Sequence, residues 1–298
     1  MKIILFGSPE FAAIILKKLV ESGHMPAAVV CNPDQPAGRK KIMTSPPVKQ
    51  IIEKNEWSIK ILQPKKLKES VDDLKKIDAD LFIVASYAKI ISKEIIEMPR
   101  LKTIGVHPSL LPKYRGSSPI QSVILNGEKE TGVAIYLMDE KIDNGPIITS
   151  DKIRLNGDEN YESLNVKLAE LGAELLLEIL PDFSCKLNDS AHKKPGHLCA
   201  PINLQTQDHK QATFTKKFAT EDGKVDLKKD SPGIIYRKIK ALNPDPGVFA
   251  IVEANGKQIR LKIIDAALNN GFLEILKVQP EGKKLMAYKE FLAGHKLS

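Results

Sequence analysis

The chain has 298 residues, 42% of them hydrophobic, and a formal net charge of +8, which is enough length for two ordinary domains with buried cores. No apolar run is long enough to span a bilayer, and the first residues lead straight into a strand pattern with no signal peptide ahead of it, so a cytoplasmic protein is expected. Cys31, Cys185 and Cys199 are odd in number, widely spaced and never in a CxxC pair, which argues against a disulfide framework and against a zinc or other metal site.

In chain order, residues 2–6 (KIILF) form a short apolar run, followed by Gly7, Ser8 and Pro9 and then a helical pattern through Phe11, Ile14, Ile15 and Leu19. Strand, tight turn and helix with a proline near its first position open a doubly wound α/β unit. No GxGxxG is present, so a dinucleotide is not indicated. Residues 27–31 make a second strand. A Pro/Gly loop over 32–41 then ends in three consecutive cations, Arg39, Lys40 and Lys41, a candidate phosphate or nucleic-acid contact or else an ordinary surface loop. A helix opens at residues 45–48 (SPPV), a third strand lies at 59–62, a charged helix runs to about Lys76, and residues 81–85 (LFIVA) read as a strand buried on both faces.

Residues 103–120 (TIGVHPSLLPKYRGSSPI) read as a strand end running into an exposed loop, because Pro108 and Pro112 forbid a helix and Gly116 permits a turn. His107 therefore sits at a strand tip. A second strand pattern at 132–137 leads towards Asp143, which precedes a turn-forming Asn-Gly-Pro. An imidazole and a carboxylate at neighbouring strand tips of one sheet orient each other, and open α/β sheets bind ligands at such ends. Taken alone, His107 also fits a solvated or packed side chain, and Asp143 a turn carboxylate capping Asn144 and Gly145.

An amphipathic helix is expected over 164–180, ended by Pro181. Residues 189–205 turn polar and aperiodic and read as a linker between a 1–188 domain and a 206–298 domain. The last part carries a helix near 234–241 and alternating runs at 248–253, 258–264, 273–278 and 284–288, the spacing of a small β-barrel or sandwich of the OB-like kind that often hosts nucleic acid. Residues 206–298 hold 17 Lys and Arg against 11 Asp and Glu, whereas residues 1–188 hold 26 against 25. Most of the positive charge is thus in the last third. A basic module suits a polyanionic partner, since phosphate neutralisation with counterion release is favourable for any sequence, although lysine-rich surfaces also serve solubility.

FGSPEF near the start, NPDQPAGRKK with SPPVK, ILQPKKLK, HPSLLPKYRGSSPIQ and TGVAIYLMDEKIDNGPI resemble the folate-dependent formyltransferase superfamily. ATFTKKF, IYRKIKALNPDPG and VQPEGKKLMAYKEFLAG extend the resemblance to the methionyl-tRNA formyltransferase family along nearly the whole chain. The resemblance implies a Rossmann-like formyltransferase domain followed by a small OB-like β-barrel domain. It implies transfer of a formyl group from 10-formyltetrahydrofolate to the amino group of methionyl initiator tRNA, with His107 and Asp143 catalytic and no metal. Folate would lie against Ser86, Tyr87, Ala88, Lys89 and Ile90, against Ser109, Leu110, Leu111 and Pro112, and against Asp139, Glu140, Lys141, Ile142 and Asn144. Arg39, Lys40 and Lys41 would reach the acceptor stem, and the barrel would grip the tRNA body. A monomer is expected, since no sustained heptad or apolar stripe appears.

One position departs from the family pattern. The resemblance places an asparagine two residues before the histidine, donating to the oxyanion, and here that position is Gly105. Losing such a donor typically costs about 10² to 10³ in rate. An attenuated enzyme, an inactivated chain, and an enzyme that meets the need with a water or a neighbour such as Ser109 all fit. The last is preferred, because every other recognisable part of the machinery is present. An amino-sugar (sugar-nucleotide) formyltransferase would share the paired motifs without needing the basic last third, a glycinamide ribonucleotide formyltransferase would be a single domain, and a catalytically attenuated tRNA-binding homologue would bind without transferring.

Overall fold

The computed structural model describes residues 1–38, 41–183 and 203–295. The chain forms two compact units, the first made of Met1–Ser117, Glu130–Ile153 and Asn165–Phe214, the second of Ser118–Lys129, Arg154–Leu164 and Thr215–Ser298. The linker expected at 189–205 lies outside the described residues except for 203–205. Elements run in the order β1 (Ile3–Phe6), α1 (Glu10–Glu21), β2 (Ala28–Val30), β3 (Gln35–Ala37), β4 (Ile42–Thr44), α2 (Pro47–Lys54), β5 (Lys60–Leu62), α3 (Val71–Ile77), β6 (Leu81–Ala85), α4 (Lys93–Ile96), β7 (Thr103–His107), β8 (Arg115–Gly116), α5 (Pro119–Asn126), β9 (Glu130–Leu137), β10 (Ile147–Arg154), α6 (Tyr161–Ile179) and β11 (Phe214–Thr215).

The first unit is built on a seven-stranded sheet ordered β10-β9-β7-β6-β1-β2-β5. β1, β2, β5, β6 and β7 are parallel, and every residue of β1, β6 and β7 is buried, as unbroken apolar strands covered on both faces require. β1 lies at the point where the strand order reverses, and Gly7 follows it. A Cβ there would fall 2.6 Å from the Ala85 carbonyl oxygen and closer still to Ala12 Cβ, so only glycine lets α1 begin this near the end of β6. α1 buries Phe11, Ala12, Ile15, Leu16 and Leu19.

β9 joins the sheet antiparallel to β7, pairing Ile104 with Leu137, Gly105 with Tyr136, and His107 with Ala134. Side chains alternate along a strand, so Gly105, His107, Ala134 and Tyr136 share one face and Val106, Ile135 and Val133 the other. α6 covers that second face through Gly172, where a Cβ would stand 2.9 Å from Val106 Cγ1 and 3.5 Å from Val133 Cγ1.

The second unit contains β12 (Lys224–Val225), α7 (Pro232–Leu242), β13 (Val248–Ala254), β14 (Lys257–Asn269), β15 (Phe272–Pro280), β16 (Met286–Ala287) and α8 (Tyr288–Gly294). Its five strands pair in sequence order, antiparallel after the first pair, and a bulge in β14 around Asp265 lets that long strand bend. Phe291 of α8 closes a core with Ala254, Leu261 and Val278. A C-terminal, largely antiparallel sheet thus stands where the sequence predicts a small OB-like β-barrel or sandwich.

Two local expectations change, and two further elements appear. The 32–41 loop is in part a hairpin, because β3 and β4 pair across a turn in which Gly38 and Lys41 take positive φ. α5 follows the proline-rich turn, and Pro119 at its first position and Gly127 after its last residue, at φ +65°, are ordinary start and stop signals. β10 is a half-exposed edge strand with little alternation. The run expected as strand at 284–288 yields only β16, because Glu290 accepts the Ala287 amide at 3.1 Å and starts α8 instead.

Gly172→Leu should force α6 away from β7 and β9, lowering unfolding free energy by about 1–3 kcal/mol. Urea denaturation checks this, and an unchanged midpoint would show that the helix does not bear on those strands.

Candidate active site

β7 delivers His107 to the carboxyl end of the parallel strands, buried to 6% exposure. Its Nε2 lies 2.8 Å from the Tyr114 carbonyl, which can only accept, so Nε2 carries a proton. Nδ1 faces Asp143 Oδ2 at 3.5 Å. Both ring nitrogens thus look at acceptors, an arrangement that accommodates an imidazolium.

The sequence expects this pair at neighbouring strand tips, and the geometry differs. Because β9 runs antiparallel, its end at Leu137 lies beside Ile104, at the far end of β7 from His107. Residues 138–146 fold back to bring Asp143 to the imidazole, with Asp143 itself at φ +48°. Its carboxylate does not cap Asn144 and Gly145. Oδ2 accepts the Gly116 amide at 2.6 Å and Oδ1 the Tyr136 hydroxyl at 2.6 Å. Turn capping falls to Asp139, which accepts the Lys141 amide at 2.9 Å and the Asn144 side-chain amide at 2.6 Å.

Tyr136 is fully packed. Burial, then the neighbouring Asp143 charge and the hydrogen bond to it, hold its hydroxyl far above an ordinary phenol, so it stays a donor. Arg115 and Gln207 brace the same loop from behind. Arg115 is buried and donates to Gln207 Oε1 at 2.6 and 3.2 Å and to Asn144 Oδ1 at 3.2 Å, with His209 Nδ1 at 3.0 Å. Gln207 in turn donates to the carbonyls of Asp143 at 3.0 Å and Gly145 at 2.7 Å. Sequence reading missed all three. Arg115 stood in the quoted KYRG run without a sign of its burial, Tyr136 read as one more strand residue, and Gln207 is too far along the chain for any local signal.

Residues expected to contact folate fall on three segments. Ser86 to Ile90 leave the end of β6, with Ser86 at φ +52°, Ile90 95% exposed, Ala88 exposed, and Lys89 Nζ on the carbonyls of Pro64 and Lys65. The Tyr87 ring stands edge-on to Phe6, while its hydroxyl is buried with no hydrogen-bond partner among the described residues. Met138 packs against the core cluster that Tyr87 joins and against that of Leu111 and Tyr136. Glu140 reaches Lys93 at 3.5 Å, and Lys141 and Ile142 are exposed. Leu110 and Pro112 are half-buried. Ser109 is fully buried, and its hydroxyl donates to the Lys113 carbonyl at 2.7 Å, so it is not the neighbour that replaces the missing amide.

Arg39 and Lys40 lie outside the described residues. Lys41, Ile42 and Met43 are exposed on the hairpin. Cys31 is buried and its thiol is pushed up to about 12, chiefly by burial, which removes it as a nucleophile. Among the described residues, no helix is long and apolar enough to cross a membrane.

A doubly wound sheet with a histidine and carboxylate facing each other beyond its parallel strands defines an α/β scaffold with a candidate ligand site at the strand ends. The sequence pattern described as "Formyl transferase" matches residues 1–180, and the chain belongs to the formyl transferase family. It is 38% identical over its whole length to a methionyl-tRNA formyltransferase of Dictyoglomus turgidum, covering 98% of that protein. To a methionyl-tRNA formyltransferase of Kosmotoga olearia it is 37% identical over 90% of its length and 80% of the relative's. Among solved structures, a variant of HypX from Aquifex aeolicus superposes at a TM-score of 0.67 with 17% identity over the whole chain; the chain spans about half the length of that protein.

Removing the Gln207 side chain takes one acceptor from the Arg115 guanidinium and the side-chain donor from the carbonyls of Asp143 and Gly145. Gln207→Ala should lower stability by about 2–3 kcal/mol. Gln207→Glu retains the acceptor for Arg115 but turns an acceptor-only oxygen towards the two carbonyls, so it should lose about as much. Denaturant midpoints of the two variants give the comparison; equal midpoints for Gln207→Ala and the parent would remove Gln207 from the site.

Proposed function

We propose that this chain transfers a formyl group from 10-formyltetrahydrofolate to the amino group of methionine esterified to initiator tRNA. The observation that carries the reading is the His107–Asp143 pair, brought to 3.5 Å by the fold-back of residues 138–146. The neutral amine attacks the formyl carbon, a C–N bond forms and the carbonyl electrons move to oxygen. Collapse then breaks the bond to the tetrahydrofolate nitrogen, and the proton lost by the amine ends on that leaving nitrogen. His107 supplies an N–H to the developing oxyanion, which must compete with the Tyr114 carbonyl for Nε2. Asp143 steadies the imidazole and takes the amine's proton, directly or through water.

The loop after β6 suits a folate as substrate. It offers an almost fully exposed Ile90, an apolar face for a fused heterocycle. Residues 206–298, with 17 basic against 11 acidic side chains, supply the electrostatic grip on tRNA, and the hairpin carrying Lys41 a contact nearer the acceptor end. An amino-sugar acceptor would leave this charge without a use. We place the protein in the cytoplasm, where initiator tRNA is charged, acting as a monomer.

The assay is purified protein with 10-formyltetrahydrofolate and methionyl initiator tRNA. Formyl-methionyl-tRNA should form, and His107→Ala and Asp143→Ala should each lose about 10²-fold or more in kcat/KM. A parent that binds tRNA in a steeply salt-dependent way yet makes no product would identify a binding protein, and formylation of an amino-sugar nucleotide in place of the tRNA would identify the sugar enzyme.

A further inference from the structure

Gly105 is not an empty place. It pairs with Tyr136 across β7 and β9, and a Cβ built on it would lie 2.5 Å from Tyr136 Cζ, 2.7 Å from the hydroxyl oxygen and nearer still to Cε1. No side chain tolerates such distances, so residue 105 must be glycine while the ring holds this position. The ring in turn has nowhere to go: it is 3% exposed and packed with Leu111, Ala134 and Ile147. The space in which the sequence leaves room for a water is therefore filled by a phenol, whose hydroxyl ends on Asp143 Oδ1 at 2.6 Å.

We propose that Tyr136 is a positioning residue for the transfer reaction and that Gly105 and Tyr136 form one interdependent pair, the glycine making the volume that the tyrosine occupies. The inference rests on the formyl-transfer reading and deepens it. Asp143 has two carboxylate oxygens and one task that depends on their orientation. Oδ2 lies between the Gly116 amide and His107 Nδ1, while among the described residues Oδ1 is held by the Tyr136 hydroxyl. Without that donor the carboxylate can turn about its own axis, and the separation from the imidazole is no longer set. A rigid donor from the sheet thus takes the place of an amide at position 105, acting through Asp143 rather than from the strand that carries His107.

The test uses four variants of the full chain, read by steady-state kinetics with both substrates and by urea unfolding. Tyr136→Phe retains the ring and its packing and loses the hydroxyl; kcat should fall by about 10- to 100-fold while KM for folate and for tRNA stays within about twofold. Gly105→Asn alone should lower both kcat and the unfolding midpoint, because the new side chain meets the ring. Tyr136→Ala opens the space, and Gly105→Asn added to it should recover part of the lost kcat, reversing the sign of the same substitution. A Tyr136→Phe variant with the parent's kcat, or a Gly105→Asn variant at least as active as the parent, would overturn the proposal. A parent without formyl transfer sinks the functional reading instead. The unfolding data then decide the pair: Gly105→Asn must destabilise less beside Tyr136→Ala than alone, and additive effects overturn the interdependence.

Discussion

The antiparallel pairing of β9 against β7 is the constraint on which the site depends. Its register puts Gly105 opposite Tyr136 and His107 opposite Ala134, all on one face, while Val106 and Val133 meet α6 on the other. Because side chains alternate with a period of two, a slip by one residue would carry Tyr136 to the helix side and bring Ile135 towards His107. Apolar burial against α6 on one face therefore fixes polar geometry on the other. The small side chain at Ala134 and the absent one at Gly105 are what allow a full aromatic ring and an imidazole to lie side by side there.

Around this pairing the 138–146 loop is held by a set of hydrogen bonds, with Met138 packed at its start. Gly116, Tyr136, Gln207 and Asn144 all bond within it, and Arg115 ties Asn144 to Gln207. Each such bond contributes only about 0.5–1.5 kcal/mol net, but a buried group left without its partner costs more than that. Beyond Met138 the loop is set by polar satisfaction, which holds the Asp143 carboxylate in place with a backbone φ of +48°. Gly145 belongs to the same logic: a Cβ there would collide with the Leu137 carbonyl, so the loop closes tightly against the strand it leaves.

Much of the architecture was legible because its signals are local. KIILF, AAVVC and LFIVA are unbroken apolar runs between turn residues, and parallel buried strands look like that in any sequence. His107 and Asp143 were legible too, one beside a proline-rich turn and the other before Asn-Gly-Pro. β10 was not, since a half-exposed edge strand carries little alternation, and α5 was missed behind the proline-rich turn that it follows. The fold-back of 138–146 depends on strand direction, which residue types do not encode. Tyr136 and Gln207 matter through partners found only by cross-strand register or across 62 to 64 residues of chain. Gly105 was noticed and read as a deficit, because its complement lies on another strand.

The bonds from Gln207 also bear on how such a chain can be cut and recombined. Judged by composition, the polar stretch ending near residue 205 is a natural seam between modules, yet the carbonyls of Asp143 and Gly145 are satisfied by a side chain just beyond it, and Thr213 anchors the amides of Tyr114 and Arg115. A piece ending at that seam would retain the proposed His107–Asp143 pair and lose the side chains that hold the segments around it. The last stretch of the first compact unit thus ends at Phe214, beyond the point where the composition changes.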